Sequence, residues 1–266
     1  MEPNLEPLEK LSKDMRKAAT TLSDKEARYL VDTYYIMQEG RKRTDNQLRA
    51  LQESGEPHDI IQWASKNFRM LENQVKYTLD TYSDAHPVAR AAREVRGIGP
   101  VIAAGLLAHI DVRKTNTAGG VWRFAGLDPT AIWEKGEKRP WNASLKTLCW
   151  KIGESFVKQS GHEDCFYGHL YIARKKIEDE RNAKKLFKDQ AAIKAKVVKK
   201  KTKAYPFYKK GLLPPGHIYS RAKRWAVKLF LAHWFERMYE HELGVAPPKP
   251  YVIEHLGHIH QLKCPW

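Results

Sequence analysis

The chain has 266 residues but only three cysteines, Cys149, Cys165 and Cys264. Their small number and wide spacing exclude a disulfide framework and agree with a reducing compartment. The sequence also lacks an apolar run of about 18 to 20 residues, the length that a membrane-spanning helix needs. Its first residues are acidic, whereas a signal peptide begins with basic residues followed by an apolar stretch. We therefore expect a cytoplasmic protein without a membrane partner.

Other common patterns are missing as well. The sequence has neither a phosphate-binding P-loop nor a dinucleotide-binding fingerprint, and no stretch gives a strong strand signal. With 42% hydrophobic and 11% aromatic residues, the chain can still bury one substantial core or two smaller ones. We therefore predict a mainly α-helical fold and no cofactor.

The net charge of +16 is unevenly distributed along the chain. Residues 1–92 carry 14 basic and 15 acidic side chains, whereas residues 174–210 carry 15 basic and only 4 acidic ones. A solvated helix face normally mixes both signs, so a block of one sign indicates a polyanion-binding surface or a flexible basic arm. Within this block we expect residues 194–203 to be the most mobile segment.

The pattern along the chain predicts four parts. An acidic lead over residues 1–22 precedes an antiparallel, coiled-coil-like helical hairpin over 23–85. A helical domain over 86–245 follows, and a Pro/His-rich tail occupies 246–266.

The hairpin is predicted from a capping-box pattern at Ser23–Glu26 and from two apolar seams with coiled-coil spacing. Its near-neutral charge and polar outer faces favour an arm for homo-oligomer formation over the alternative, in which its helices pack on the globular part. The seam positions are Leu30, Tyr34, Met37, Arg41, Thr44, Leu48 and Leu51 in the first helix, and Ile61, Ala64, Phe68, Leu71, Val75, Thr78 and Tyr82 in the second.

The segment Gly97-Ile98-Gly99-Pro100 predicts a helix-hairpin-helix turn, because a short helix is expected before it and an apolar one after it. Two glycines allow a tight reversal, and a proline fits the first turn of a helix. The unpaired amides and partial positive charge of such a helix start suit a phosphate oxygen. We therefore expect Gly97, Ile98, Gly99 and Val101 to contact a DNA backbone. The alternative is a corner that only packs.

Further contacts with the DNA backbone are predicted from exposed cations. A charged loop spans residues 134–140, and lysines dominate the middle of the basic block. A last long helix, predicted over 218–243, places three cations on one stripe opposite a buried face. The expected contacts are Lys138, Arg139, Lys199, Lys200, Lys201, Arg221, Arg224 and Lys228.

The order of these parts resembles the C-terminal half of the insertion-sequence transposases related to the pilin-gene invertases, a group that includes bridge-RNA-guided recombinases. In that family a coiled-coil hairpin precedes Gly-Ile-Gly-Pro and then Phe/Tyr-Ala-Gly-Leu-x-Pro, which matches Phe124-Ala125-Gly126-Leu127-Asp128-Pro129 here. The resemblance covers about residues 23–245. It implies a role in DNA transposition or recombination, with duplex DNA as the partner and a nucleoid-associated location.

The resemblance stops where the family carries its catalysis. Family members have an N-terminal RNase H-like domain that binds divalent metal through four acidic residues, and only a short lead precedes the hairpin here. Their serine nucleophile follows Gly-Leu-x-Pro, where Thr130 is the nearest hydroxyl in this chain and would need an activating base. We therefore expect DNA binding without autonomous catalysis. Two alternatives are a recombinase subunit completed by a separate metal-dependent nuclease subunit, and a structured-RNA-binding protein.

Zinc-ligating residue types cluster near the end of the sequence, at His255, His258, His260 and Cys264. Their spacing fits no standard zinc pattern, and the other two cysteines do not form a second ligand pair. We therefore predict a His-rich tail without a metal, and these four residues are the candidates if one is bound.

Overall fold

The structure of the chain is a computed structural model that describes residues 9–248 and 262–266. These residues form helices joined by turns, with no β-strand among them, so the predicted mainly α fold is confirmed. No helix in the described part is both long and apolar enough to cross a membrane. The helices are α1 Lys13–Lys17, α2 Asp24–Ser54, α3 Asp59–Asp84, α4 Pro87–Ala92, α5 Pro100–His109, α6 Ala118–Phe124, α7 Ala143–Gln159, α8 Phe166–Ala183, α9 Lys188–Val197, α10 Tyr205–Lys209 and α11 Pro215–Leu243, with 3-10 turns at Ala18–Thr21 and Val112–Lys114.

The chain folds into two compact units. The hairpin unit comprises the residues up to Glu94 together with Gly99–Asp111, and the basic unit comprises Val95–Ile98 together with the residues from Val112 onward. The chain therefore passes between the units three times. The predicted boundary between the hairpin and the helical domain falls at residues 85/86, whereas α4 and α5 belong with the hairpin, because the apolar α5 packs against both α2 and α3.

In the hairpin unit, α2 begins with the predicted capping box. The Ser23 hydroxyl accepts a hydrogen bond from the Glu26 amide, and the Glu26 carboxylate accepts one from the Ser23 amide at 2.8 Å. Contacts between α2 and α3 run in opposite chain order, since Asp24 contacts Tyr82 while Asp45, further along α2, contacts the earlier residue Ser65. The two helices are therefore antiparallel within this unit.

The apolar core of the hairpin unit lies where α5 meets the two long helices. Val31, Leu79, Val101 and Ala104 are buried there, and partly buried aromatic and aliphatic side chains of α2 and α3 surround them. Away from this core the seam between α2 and α3 becomes polar. The predicted seam position Leu71 is 38% exposed, whereas the neighbouring Glu72 is 6% exposed. Glu72 is buried in place of Leu71 because the guanidinium of Arg41 lies 2.5 Å from the Glu72 carboxylate.

In the basic unit, α11 is the central element and packs against α6, α7 and α8. The predicted last helix is therefore present, although it begins at Pro215 rather than 218. The core of this unit contains the buried aromatic residues Phe156, Tyr167, Phe230 and Trp234. The rings of Phe156 and Tyr167 are stacked, with their centroids 5.0 Å apart.

The lysine-rich segment 194–203, predicted to be the most mobile, begins as helix. Helix α9 extends to Val197, and turns continue to the start of α10. The helix is anchored by Phe187 and Ala191, which are buried with Tyr208, Leu213 and Ile218 in a small apolar cluster. The many lysines in this segment indicated a mobile chain, so the burial of Phe187 and Ala191 was not predicted.

Candidate nucleic-acid interface

The three cations predicted to form one stripe on α11 have different environments. Arg221 donates a hydrogen bond of 2.9 Å to the Glu178 carboxylate, which also accepts hydrogen bonds from Arg174. Glu178 is only 1% exposed. Burial alone would raise its pKa, but the hydrogen bonds and charges of Arg221 and Arg174 lower it overall. Arg221 is therefore part of a structural ion-pair network and is not a free phosphate ligand.

Arg224 and Lys228 instead belong to a group of cations on three parts of the basic unit, which we call the cation cluster: Arg139, Lys146, Arg224 and Lys228. Burial, followed by the charges of Arg224 and Arg139, lowers the pKa of the Lys146 ammonium. Burial also lowers the pKa of Lys228, with a further decrease from Arg224 that the charge of Asp128 opposes. The charges of Arg139 and Arg224 therefore act on Lys146, and the charge of Arg224 also acts on Lys228.

Members of the cation cluster have no ion-pair partner within the described part of the chain. The carboxylate of Asp128, which acts on Lys228 through its charge, is 4.0 Å from the guanidinium of Arg123 instead. Like charges held close together repel one another, and the charge of Asp128 offsets part of this repulsion at Lys228. The arrangement therefore favours an anion from outside the chain.

Tryptophan rings hold three members of the cation cluster in place. The Lys146 ammonium lies 3.9 Å from the ring centroid of Trp141, and the Lys228 ammonium lies 4.1 Å from that of Trp122. Arg139 lies 5.2 Å from the ring of Trp133. Cation–π attraction offsets part of the repulsion without neutralising the charge. The cations therefore remain available to a phosphate.

The Phe-Ala-Gly-Leu-x-Pro element forms part of this framework through Gly126. Its φ of 64° lies in the left-handed region, which glycine adopts without strain. A Cβ atom at this position would lie 2.8 Å from the ring of Trp141 and 2.9 Å from the Lys146 side chain. Only glycine therefore allows the ring and the lysine to approach the backbone so closely.

The other predicted lysines are exposed but are not brought to the cluster by any described contact. Lys138 precedes Arg139 in the charged loop, and Lys199, Lys200 and Lys201 lie in the turns after α9. The Thr202 amide and hydroxyl both donate to the Lys199 carbonyl, at 3.0 and 2.9 Å, and define the start of this turn. These lysines form a separate basic segment of the same unit.

The first part of the glycine motif lies in the basic unit and has a packing role. Gly97 adopts a φ of 98°, and its carbonyl accepts a hydrogen bond of 2.7 Å from the Ser155 hydroxyl. A Cβ atom on Gly97 would lie 3.2 Å from both Ser155 Oγ and the Phe156 ring. Ile98 is buried. The packing alternative therefore accounts for the side-chain environments of these two residues.

The second part of the motif lies in the hairpin unit, where Gly99 is the N-cap of α5 and Pro100 is its first residue. A Cβ atom on Gly99 would have no atom within 4 Å. The Val101 side chain is buried in the hairpin core, so this residue can offer a ligand only its backbone amide. The amides of Val101 and Ile102 belong to the first helical turn, which has no intrahelical acceptors. Gly99 leaves open space beside them.

Thr130, the candidate nucleophile, is held by a local turn. Its hydroxyl donates to Asp128 Oδ1 at 2.7 Å, and its amide donates to the same atom at 2.9 Å. These hydrogen bonds lower the pKa of Asp128. A carboxylate with a lowered pKa is a poor general base, so this pair resembles an Asx turn more than an activated nucleophile.

The zinc candidates His255, His258 and His260 lie outside the described residues. Cys264 is described, and its thiol donates to the carbonyl of Trp266 at 3.2 Å. Burial raises the pKa of this thiol, so the thiolate that zinc requires is disfavoured.

Lys146 and the tryptophans beside the cations were not predicted from the sequence. A signal was present, because four of the eight tryptophans fall between residues 122 and 150, where basic residues alternate with them. Basic residues interleaved with aromatic ones are typical of single-strand binding surfaces. The segment with the tryptophans is less charged than the block of one sign at residues 174–210, so charge alone did not identify it.

No family model, no curated protein and no solved structure matches this chain. The resemblance to the transposases therefore rests on the quoted motifs and their order alone.

Proposed function

We propose that this chain binds the sugar-phosphate backbone of duplex DNA through the cation cluster, as an accessory protein of DNA transposition or recombination. The observation that carries the proposal is the crowding of Arg139, Lys146, Arg224 and Lys228 without an ion-pair partner in the described residues. Phosphates would relieve the repulsion and release their own counterions, which is the main source of nonspecific affinity for DNA.

The contrast with neighbouring cations supports this proposal. On the same helix α11, Arg221 is paired with Glu178, and Lys223 is paired with Glu154. The basic unit therefore supplies acidic partners to cations that hold its helices together. It leaves Arg224 and Lys228 without them. The transposase resemblance supplies the proposed biological setting.

The start of α5 is the second proposed backbone contact, independent of the first. Its free first-turn amides and open Gly99 suit a phosphate oxygen. Contacts of both kinds position a duplex without reading its bases, so the proposed binding is insensitive to sequence.

The cation cluster is tested with the double variant Lys146→Gln/Arg224→Gln. Since each phosphate contact contributes about −0.9 to the slope of log affinity against log salt concentration, we expect duplex binding to weaken and the slope to become shallower by about 2. Fluorescence anisotropy of a labelled duplex at several salt concentrations measures both quantities.

The matched control is Lys66→Gln/Lys76→Gln on α3, which removes the same charge from exposed positions of the hairpin unit. The control should retain the affinity and slope of the unmodified chain. Equal losses in the two double variants would mean that only net charge matters, and unchanged binding by the first would refute the proposed site.

The α5 contact is tested with Gly99→Ala. A methyl group fits the open space at this position in the free protein, so we expect the thermal unfolding midpoint to fall only by the preference of an N-cap for glycine over alanine. The same methyl group would lie where a phosphate has to approach, so duplex affinity should fall severalfold. Unchanged affinity would leave Gly99 as an ordinary helix cap and restrict binding to the basic unit.

A further inference from the structure

Trp150 is a large aromatic residue that the fold leaves 55% exposed. It lies on α7, one turn after Lys146, so the two side chains share a face of that helix. The Lys223 ammonium lies 5.2 Å from its ring centroid and the Lys151 ammonium 6.0 Å. The exposed ring lies on the same helix face as Lys146 of the cation cluster, so it suits a ligand that has both an aromatic face and negative charge.

The surroundings of Trp150 are rigidly built. Helices α7 and α11 approach closely at Gly153, where a Cβ atom would lie 2.6 Å from Lys223 and 3.1 Å from Val227. The Lys223 ammonium is bound to the Glu154 carboxylate, which also accepts a hydrogen bond of 3.0 Å from the Tyr219 hydroxyl. Lys223 is therefore fixed beside the ring. Lys223 then loses little conformational entropy when a flat ligand stacks on the Trp150 ring.

We propose that Trp150 stacks on an unpaired base of single-stranded DNA whose phosphates lie at the cation cluster. This inference rests on the proposed function and extends it from the duplex backbone to a strand with exposed bases. Bases inside a duplex already stack on each other, so a tryptophan face can contact only a base that has left the stack. Lys146 joins the two features, since it shares a helix face with Trp150 and an electrostatic field with Arg139 and Arg224.

The same surroundings argue against a protein partner. Charged residues are depleted from the centres of protein–protein interfaces, whereas cations next to an exposed ring are typical of single-strand binding surfaces. The charged groups recorded against the Trp150 ring are the ammonium groups of Lys151 and Lys223, and Lys223 is bound to Glu154. A nucleic-acid strand supplies both a negative charge for the cations and a flat base for the tryptophan ring.

The test compares Trp150→Ala with Trp150→Phe, using an oligothymidine of about 12 nucleotides and a duplex of equal length. We expect Trp150→Ala to weaken oligothymidine binding by about 5- to 150-fold, the range for loss of one base–aromatic stack. Trp150→Phe should retain most of the affinity because it keeps a ring. Duplex affinity should be the same in all three proteins.

A second readout locates the contact directly. An oligothymidine carrying 5-iodouracil is irradiated with the unmodified protein, and the attachment site is found by peptide mass spectrometry. We expect attachment at Trp150, and attachment only elsewhere would overturn the inference. If Trp150→Ala lowers the thermal unfolding midpoint, then Trp150→Phe and the cross-link still decide the question.

The remaining outcomes separate the two proposals. If the unmodified chain binds neither duplex nor oligothymidine, the proposed function fails. If it binds both and Trp150→Ala binds oligothymidine unchanged, only the present inference fails. Tighter binding of oligouridine than of oligothymidine would overturn the assignment to DNA, and displacement of oligothymidine by polyglutamate at equal charge would indicate an acidic protein partner instead.

Discussion

The hairpin unit and the basic unit differ in how they hold some of their arginine and lysine side chains. In the hairpin unit, Arg41 bridges Glu72 and Asp45, and Arg93 contacts Asp80 and Asp84. These cations are used to join or fasten helices. In the basic unit, the cation cluster has no ion-pair partner in the described residues, and aromatic rings hold three of its four members.

This difference shows that pairing is a better guide to a ligand site than the number of charges. The basic unit contains paired cations as well, and those lie at helix contacts such as Glu178 with Arg174 and Arg221. Paired charges stabilise the fold, while unpaired and crowded ones are stabilised only when an anion arrives. Stability and binding should therefore respond to mutation separately in the two places.

The largest expected effect breaks the polar seam of the hairpin unit. Arg41→Ala would leave the buried Glu72 carboxylate without its guanidinium, so we expect the free energy of unfolding to fall by about 3 kcal/mol. Chemical denaturation measures this change. The control is Arg43→Ala, whose pair with Glu39 is exposed and should contribute at most about 0.5 kcal/mol. Similar losses in both variants would contradict the role assigned to the buried pair.

His109 gives the next effect, and it depends on pH. Burial, together with the charge of Arg28, lowers the pKa of His109 from 6.5 to about 4 in the folded state. The unfolded chain therefore takes up a proton first as the pH falls. The contribution of His109 is fully present above pH 6.5 and decreases between 6.5 and 4, by as much as about 3 kcal/mol.

Denaturation of the unmodified chain and of His109→Gln across this pH range checks the prediction. The variant should lose less stability on acidification than the unmodified chain does. An NMR titration of the imidazole should have its midpoint near 4, and a midpoint near 6.5 would show that the histidine is solvated.

The smallest effects come from a matched pair on α11. Arg221→Gln weakens the network around the buried Glu178, which keeps Arg174, so we expect a loss of about 2 kcal/mol. Arg224→Gln relieves like-charge repulsion and should change stability by no more than about 0.5 kcal/mol. Thermal unfolding of the two variants measures the difference. If Arg224→Gln were the more destabilising, the distinction between paired and unpaired cations would be wrong.

Local patterns made much of the helical architecture predictable. The capping box at Ser23–Glu26, the helix that starts at Pro100 and the last long helix are each specified by nearby residues. The unit boundary was not predictable in the same way. The burial of Val101 and Ala104 depends on Val31 and Leu79, which are far away in sequence, and no local pattern reveals that contact.

The candidate site was predictable only in part. Arg139, Arg224 and Lys228 were identified from charge and helical spacing, but the same spacing also selected Arg221, which Glu178 binds from another helix. Lys146 was missed because its importance comes from Trp141 and Gly126, which a turn brings beside it. Sequence spacing identifies which cations share a helix face, whereas their availability is decided by side chains from other elements.

The three crossings of the chain between its units limit how the molecule can be divided. A fragment that starts at Val112 would lack Gly97, whose carbonyl accepts a hydrogen bond from the Ser155 hydroxyl. A fragment that ends at Glu94 would lack α5, which contributes Val101 and Ala104 to the hairpin core. Each of these two cuts therefore damages one unit, and a cut between Ile98 and Gly99 damages both. A gene fusion that replaces one of these units with a different domain would need several fusion points. We therefore expect the two units to be inherited together.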